Sequence, residues 1–150
     1  MDIDRLYWTC GKTLDYCQRI EHDLRLLLSI LSAWRNIPLE DKERLTLGQA
    51  IVKLEAIDKE SERPYLAKQD YLLLRSLRNR RNDLVHDCFQ RFLYAKEEER
   101  LARFEESLRR VERTKNELES LWKSLEDARI EAYEAYRRSM EKDERKAPRP

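Results

Sequence analysis

From Lys96 to Lys146 the chain contains neither glycine nor proline. These are the residues that most readily end an α-helix. Over the same stretch a repeat of three and four residues runs through Leu101, Phe104, Leu108, Val111, Leu118, Trp122, Leu125, Ala132 and Tyr136, with Lys115 and Arg129 as polar interruptions. These are heptad a and d positions. A single helix of about 45 residues would be about 68 Å long at 1.5 Å per residue. A compact domain of this size has a radius of gyration of only about 15 Å. The helix must therefore break and fold back, or project as an arm. The expected arrangement packs its first half on the domain and lets its second half extend or pair with another chain. Residues 1–125 then form a helical domain, 126–146 an extension of the last helix, and 147–150 a flexible tail.

The rest of the chain is also helical in pattern. Charged residues make up 41% and hydrophobic residues 41%, with two glycines and four prolines, the profile of an all-α protein. A net charge of +1 gives no global pull toward nucleic acid or membrane. The start, Met1-Asp2-Ile3-Asp4-Arg5, is no signal peptide, and no run of 18 apolar residues occurs. A cytoplasmic protein with no membrane partner is expected. A first helix is read over Ile3–Trp34 from the stripe Ile3, Leu6, Cys10, Thr13, Cys17, Ile20, Leu24, Leu27, Leu31, Trp34, broadened by Leu26, Leu28 and Ile30. Gly11 would allow a close helix approach, and Asn36 and Pro38 end the helix. A charged connector follows from Pro38 to Leu45. Thr46-Leu47-Gly48-Gln49 has the form of a capping box, opening a short helix with Leu47, Ile51, Leu54 and Ile57 inward. Asp58 to Pro64 reads as a polar loop. Cys10, Cys17 and Cys88 have no ligand-like spacing and read as buried, reduced thiols.

Leu66 to Tyr94 is the central helical region. Its stripe is Leu74, Leu77, Arg81, Leu84, Cys88, Phe92, with an Arg where the repeat asks for an apolar side chain. Burying an unpaired charge is costly, so Arg81 should meet a partner or a wet cleft. His86, one of only two histidines, lies about 140° around an ideal helix from Arg81 and shares a side with Asn82, Asn79 and Arg75. One straight helix would not aim both side chains at one atom, whereas a bend or a second chain could. Arg75, Arg78, Arg80, Arg81 and Arg91 form a local basic cluster. Glycine-rich phosphate loops, a nucleophile elbow, Cys-x-x-Cys and His-Glu-x-x-His are all absent. Neither a metal nor another cofactor is expected. His22, between Glu21 and Asp23, reads as part of an exposed charged trio, and Trp122, Tyr133 and Tyr136 as packing residues. Histidine as a residue type can take a proton near neutral pH. A guanidinium can grip a phosphate through two bonds and stabilise charge developing on it. Together they suit cleavage of RNA through its own 2′-hydroxyl.

At Arg81-Asn82-Asp83-Leu84-Val85-His86 the sequence resembles the HEPN superfamily, whose signature is Arg, four to six residues, then His, often with Asn, Asp or His after the Arg. Arg80 would fit a five-residue spacing but is followed by Arg81, so Arg81 is the better match. The long first helix, short second helix and motif-bearing central region also resemble the family's helical bundle, over roughly residues 1–125. The resemblance implies a metal-independent endoribonuclease of toxin or antiviral-defence type, acting as a homodimer whose two motifs share a cleft. It implies Arg81 and His86 as catalytic and Asn82 as the polar residue that orients them. Arg75, Arg78 and Arg80 are the candidate RNA contacts. Some toxin members are restrained by an antitoxin that modifies a Tyr two residues after the His. That position is Cys88 here, so an antitoxin or defence partner would have to be of another kind. Two other readings stand beside this one: a non-catalytic adaptor dimerising through residues 97–140, and a basic helix that only binds RNA.

Overall fold

The computed structural model describes residues 1–38 and 45–148, and all regular structure among them is helical. Five α-helices follow in order: α1 (Ile3–Trp34), α2 (Leu47–Lys59), α3 (Lys68–Asn82), α4 (Gln90–Leu93) and α5 (Glu97–Lys146), with a π-helical turn over Asp83–Asp87 between α3 and α4. The all-α class expected from the composition is thus observed. Most of the charged connector expected between Pro38 and Leu45, and the last two residues of the expected tail, lie outside the described residues.

Each helix forms where its pattern asks for one. In α1, Leu6, Cys10, Thr13, Cys17, Ile20, Leu24, Leu27 and Leu31 of the predicted stripe are buried, while Ile3 is half-buried and Trp34 exposed. The threonines on this face are not left unsatisfied. The Thr9 hydroxyl donates to the Arg5 carbonyl at 2.7 Å and Thr13 to Thr9 at 2.6 Å. The helix ends at Asn36, whose φ of 52° lies in the left-handed region that Asn tolerates. The Ile37 N–H then reaches back to the Ser32 carbonyl at 2.8 Å, closing the end. Gly11 needs no special explanation. It is exposed, and a Cβ there would meet nothing within 4 Å, so the close approach it could have served is absent. Gly11→Ala should therefore raise stability by about 0.5–1 kcal/mol, read as a higher denaturant midpoint at unchanged slope.

The capping box of α2 is present in full: the Gln49 N–H donates to the Thr46 hydroxyl at 3.2 Å, and the Thr46 N–H to the Gln49 side-chain oxygen at 3.0 Å. Ala50, Ile51, Leu54 and Ile57 are buried, and Leu47 is half-buried. Asp58 is not the first residue of a polar loop. It belongs to α2 and is completely buried. Its carboxylate accepts the Tyr65 N–H at 2.8 Å, the Leu66 N–H at 3.1 Å and the Tyr71 hydroxyl at 2.8 Å. The repeat Ile51, Leu54, Asp58 continues the inward stripe onto an acid, which is the signal that marks it.

α5 runs unbroken for 50 residues. Its buried file is Phe104, Ser107, Val111, Leu118, Leu121, Leu125, Ala128 and Ala132. One of the two expected heptad files, Phe104, Val111, Leu118, Leu125 and Ala132, is buried as predicted. The other is displaced by one position, to Ser107, Leu121 and Ala128, and leaves Leu108, Lys115, Trp122 and Arg129 half-buried on the flank. Lys115 and Arg129 are tolerated there because each meets a complementary group: the Lys115 ammonium lies 5.5 Å from the centre of the Trp8 ring, and the Arg129 guanidinium lies 3.4 Å from the Asp23 carboxylate. Beyond Ala132 no described residue of α5 is buried.

The chain divides into two compact units, Met1–Ile20 with Leu72–Trp122, and Glu21–Tyr71 with Lys123–Pro150. Both α1 and α5 contribute to each. The core of the first unit joins Leu6 and Cys10 of α1, Leu84 and Cys88 at the π turn, Phe92 of α4, and Phe104 and Val111 of α5. Phe92 and Phe104 meet edge to face with centroids 5.2 Å apart, a favoured aromatic geometry. In the second unit the expected trio around His22 is only partly exposed. His22 faces solvent, but Asp23 is buried and lies 3.4 Å from the Arg129 guanidinium. Asp23 falls between Ile20 and Leu27 at helical spacing, which turns it inward.

Candidate functional site

The motif stretch departs from a regular helix. The N–H of Cys88 donates to the carbonyl of Asp83, five residues back, at 3.0 Å. Such wide turns carry one residue more than an α-turn and occur often at functional sites. The turn is anchored on its inner side. Leu84 and Cys88 are buried in the first unit's core, and the Cys88 sulfur lies 3.8 Å from that of Cys10 on α1. A thiol hydrogen bond to Cys88 and burial together push the Cys10 thiol above the usual range, so Cys10 holds its proton. All three cysteines are buried and free. The turn is also anchored at its start, where both carboxylate oxygens of Asp83 engage the Arg91 guanidinium. The residues left between the anchors, Val85, His86 and Asp87, face outward.

Arg81, Asn82 and His86 are all exposed. The side chains of Asn82 and His86 make no hydrogen bond or ion pair among the described residues. Rotation per residue in a turn closed at i+5 is less than the ~100° of an α-helix, so the angle between Arg81 and His86 falls below the ~140° of a straight one. Arg75 and Arg78 are exposed on α3.

The expectation that Arg81 interrupts the buried stripe is corrected. Leu77 and Leu84 are buried, but the cation leaning inward between them is Arg80. Arg80 is half-buried, bonded to the Ser76 hydroxyl at 2.9 Å and to Glu117 of α5 at 2.5 Å. It has the partner that an inward charge requires. Arg80 and Arg81 are both at helical spacing from these leucines, and the pattern alone does not separate them.

Beside the motif lies a cleft of about 480 Å³, lined by Asn79 and Arg80 of α3, Asp83 and Leu84 of the π turn, and Arg110, Val111, Arg113, Thr114 and Glu117 of α5. Arg110 approaches Asp83 at 3.8 Å. Arg113 makes no hydrogen bond or ion pair among the described residues. Sequence reasoning missed Arg110 and Arg113. Their spacing of three puts them on one face of α5, but α5 is so rich in charge that two arginines do not stand out.

Among the described residues, no group of three or more His, Cys, Asp or Glu could hold a metal ion, and no helix is long and apolar enough to cross a membrane. No family model, curated protein or solved structure matches the chain.

Proposed function

We propose that the protein is a metal-independent endoribonuclease of HEPN type, working in a toxin or antiviral-defence setting on a HEPN-like helical bundle. The observation that carries this reading is the joint exposure of Arg81, Asn82 and His86 around a π turn, in the spacing of the HEPN motif. His86 takes the proton of an RNA 2′-hydroxyl. The freed oxygen attacks the adjacent phosphorus, the bond to the 5′-oxygen breaks, and that oxygen is protonated as it leaves. The products are a 2′,3′-cyclic phosphate and a 5′-hydroxyl. Arg81 holds the phosphate and stabilises the charge that grows on its oxygens. Asn82, one turn before His86, orients the imidazole or the substrate. Arg75 and Arg78 contact the backbone of the incoming strand. Arg80, tied to Glu117, lines the edge of the cleft and can offer RNA at most a hydrogen bond, its charge being matched by the glutamate. Two copies of the chain with facing turns would give a second histidine to protonate the leaving oxygen, so a homodimer is part of this reading. A partner that restrains or triggers cleavage is another part. The test is incubation of purified protein with mixed RNA in EDTA, with product ends identified by mass. Cleavage leaving cyclic phosphates supports the reading. Intact RNA over a broad set of sequences sinks it.

A second reading, an adaptor that self-associates through α5, is favoured by one observation. Ile130, Tyr133 and Met140 are exposed at spacings of three and seven on this helix. Replacing all three by Gln should then convert a dimer to a monomer in light scattering. A triple variant with unchanged mass removes this face as the interface.

A further inference from the structure

We propose that the cleft between Asn79–Leu84 and Arg110–Glu117 is a subsite for a backbone phosphodiester of single-stranded RNA, with Arg110 and Arg113 as its phosphate-gripping residues. This rests on the ribonuclease reading for its substrate and adds a binding site that the motif does not contain.

The charge balance points to an anion. Arg80 is neutralised by Glu117, and Asp83 is held by Arg91 through both oxygens. Arg110 and Arg113 remain as cations without a committed partner. Arg110 touches Asp83 only at 3.8 Å, with its own side chain 56% exposed. A pair of that length and exposure is worth little, so Arg110 can exchange it for a better acceptor. Arg113 has no ion pair to give up among the described residues. Three residues apart on α5, the two guanidiniums present their donors on one face. A guanidinium fork matches two phosphate oxygens. Asn79 and Thr114 add an amide and a hydroxyl, the neutral donors that commonly accompany arginine on nucleic-acid backbones. Leu84 and Val111 are buried beneath and supply an apolar wall for a sugar or base. The volume, about 480 Å³, lies within the usual range for a small-ligand site.

Position links the cleft to the motif. Asn79 precedes Asn82 by three residues on the same helix, and Asp83 follows it directly. A strand crossing the exposed face of Arg81 and His86 would pass the cleft with a neighbouring phosphate. The subsite would hold the strand in register and leave the chemistry to the motif.

The test uses the full chain, Arg110→Gln, Arg113→Gln and the double variant. Both side chains are exposed, and thermal melting checks that each variant folds. Binding is measured by anisotropy on a labelled 2′-O-methyl oligoribonucleotide, which cannot be cleaved through its blocked 2′-oxygen. Each single variant should bind about 5-fold more weakly, and the double at least 10-fold. The slope of log affinity against log salt should shrink by about 0.7 for each phosphate no longer neutralised. In parallel cleavage assays on unblocked RNA, the defect should appear in KM. Wild-type affinity in the double variant overturns the subsite, even if the wild type cleaves RNA. No binding of the blocked strand by the wild type overturns it as well. Weaker binding in the variants with no cleavage by any protein would retain the subsite and remove the ribonuclease reading.

Discussion

His86→Ala should lower the rate of RNA cleavage by about 10²- to 10⁴-fold, the usual contribution of a positioned general base. Its melting temperature should stay within a degree or two of the wild type. Both expectations follow from the same placement. His86 sits on the outer side of the π turn, exposed and with no hydrogen bond or ion pair among the described residues. Removing such a side chain usually changes stability by no more than about 0.5 kcal/mol. A loss of activity would therefore report chemistry and not unfolding. Arg81→Lys makes the companion variant. It keeps the charge but loses the planar fork, so it should fall between wild type and Arg81→Ala. The measurement is single-turnover cleavage of a defined oligoribonucleotide with EDTA present. A His86→Ala protein that cleaves at the wild-type rate would place the nuclease elsewhere, in another residue or in a contaminant.

The local half of this molecule could be read from the chain, and the long-range half could not. Helix limits depend on near neighbours. Asn36 and Pro38 end α1, Thr46 and Gln49 open α2, and the lack of breakers after Lys96 makes α5 continuous. The motif spacing was visible for the same reason, since residues 81 to 86 are neighbours, but the exposure of Arg81 was not, because its place on the apolar stripe pointed inward. What eluded the pattern are features that depend on contacts distant in sequence. The pairing of Arg80 with Glu117 decides which arginine turns inward. The contact of Cys10 with Cys88 spans 78 residues and helps fix the inner side of the π turn. One of the two files of α5 was misread by one position because Ser107 and Ala128 carry little hydrophobic weight, whereas Leu108 and Trp122 carry much; the other, from Phe104 to Ala132, lies as the repeat predicts. Burial followed the neighbouring helices and not side-chain size. The cleft is a property of two helices together, so neither helix reveals it alone.

Asp58→Ala should cost about 4 kcal/mol, the largest stability loss anticipated for a single polar residue here. The Asp58 side chain is completely buried at the end of α2. It accepts three hydrogen bonds, from the backbone N–H groups of Tyr65 and Leu66 and from the Tyr71 hydroxyl. Alanine would remove the acceptor and leave these donors to water or to nothing. Each hydrogen bond to a charged group is worth about 1.5–3 kcal/mol, and partial entry of water recovers some of the loss. For a chain of this length the change corresponds to a fall in Tm of roughly 10 °C. Tyr71→Phe removes one donor and keeps the ring, so it should cost about 1–1.5 kcal/mol. The double variant should cost less than the sum, because Tyr71 is already without its acceptor in Asp58→Ala. Additive losses would show that the two side chains do not interact. Alkaline pH supplies an independent check. Burial, and then the hydrogen bond to Asp58, push the Tyr71 hydroxyl well above its ordinary value. Tyr65 is also raised, chiefly by burial. A folded-state pKa above the unfolded value favours the protonated form in the native protein. The associated stability is therefore complete below the ordinary tyrosine pKa of about 10 and is lost as pH rises beyond it. Wild-type protein should lose stability steadily above pH 10, and Tyr71→Phe should flatten that slope while Tyr65 keeps part of it. An identical alkaline slope in both proteins would mean that Tyr71 is not held protonated by the fold.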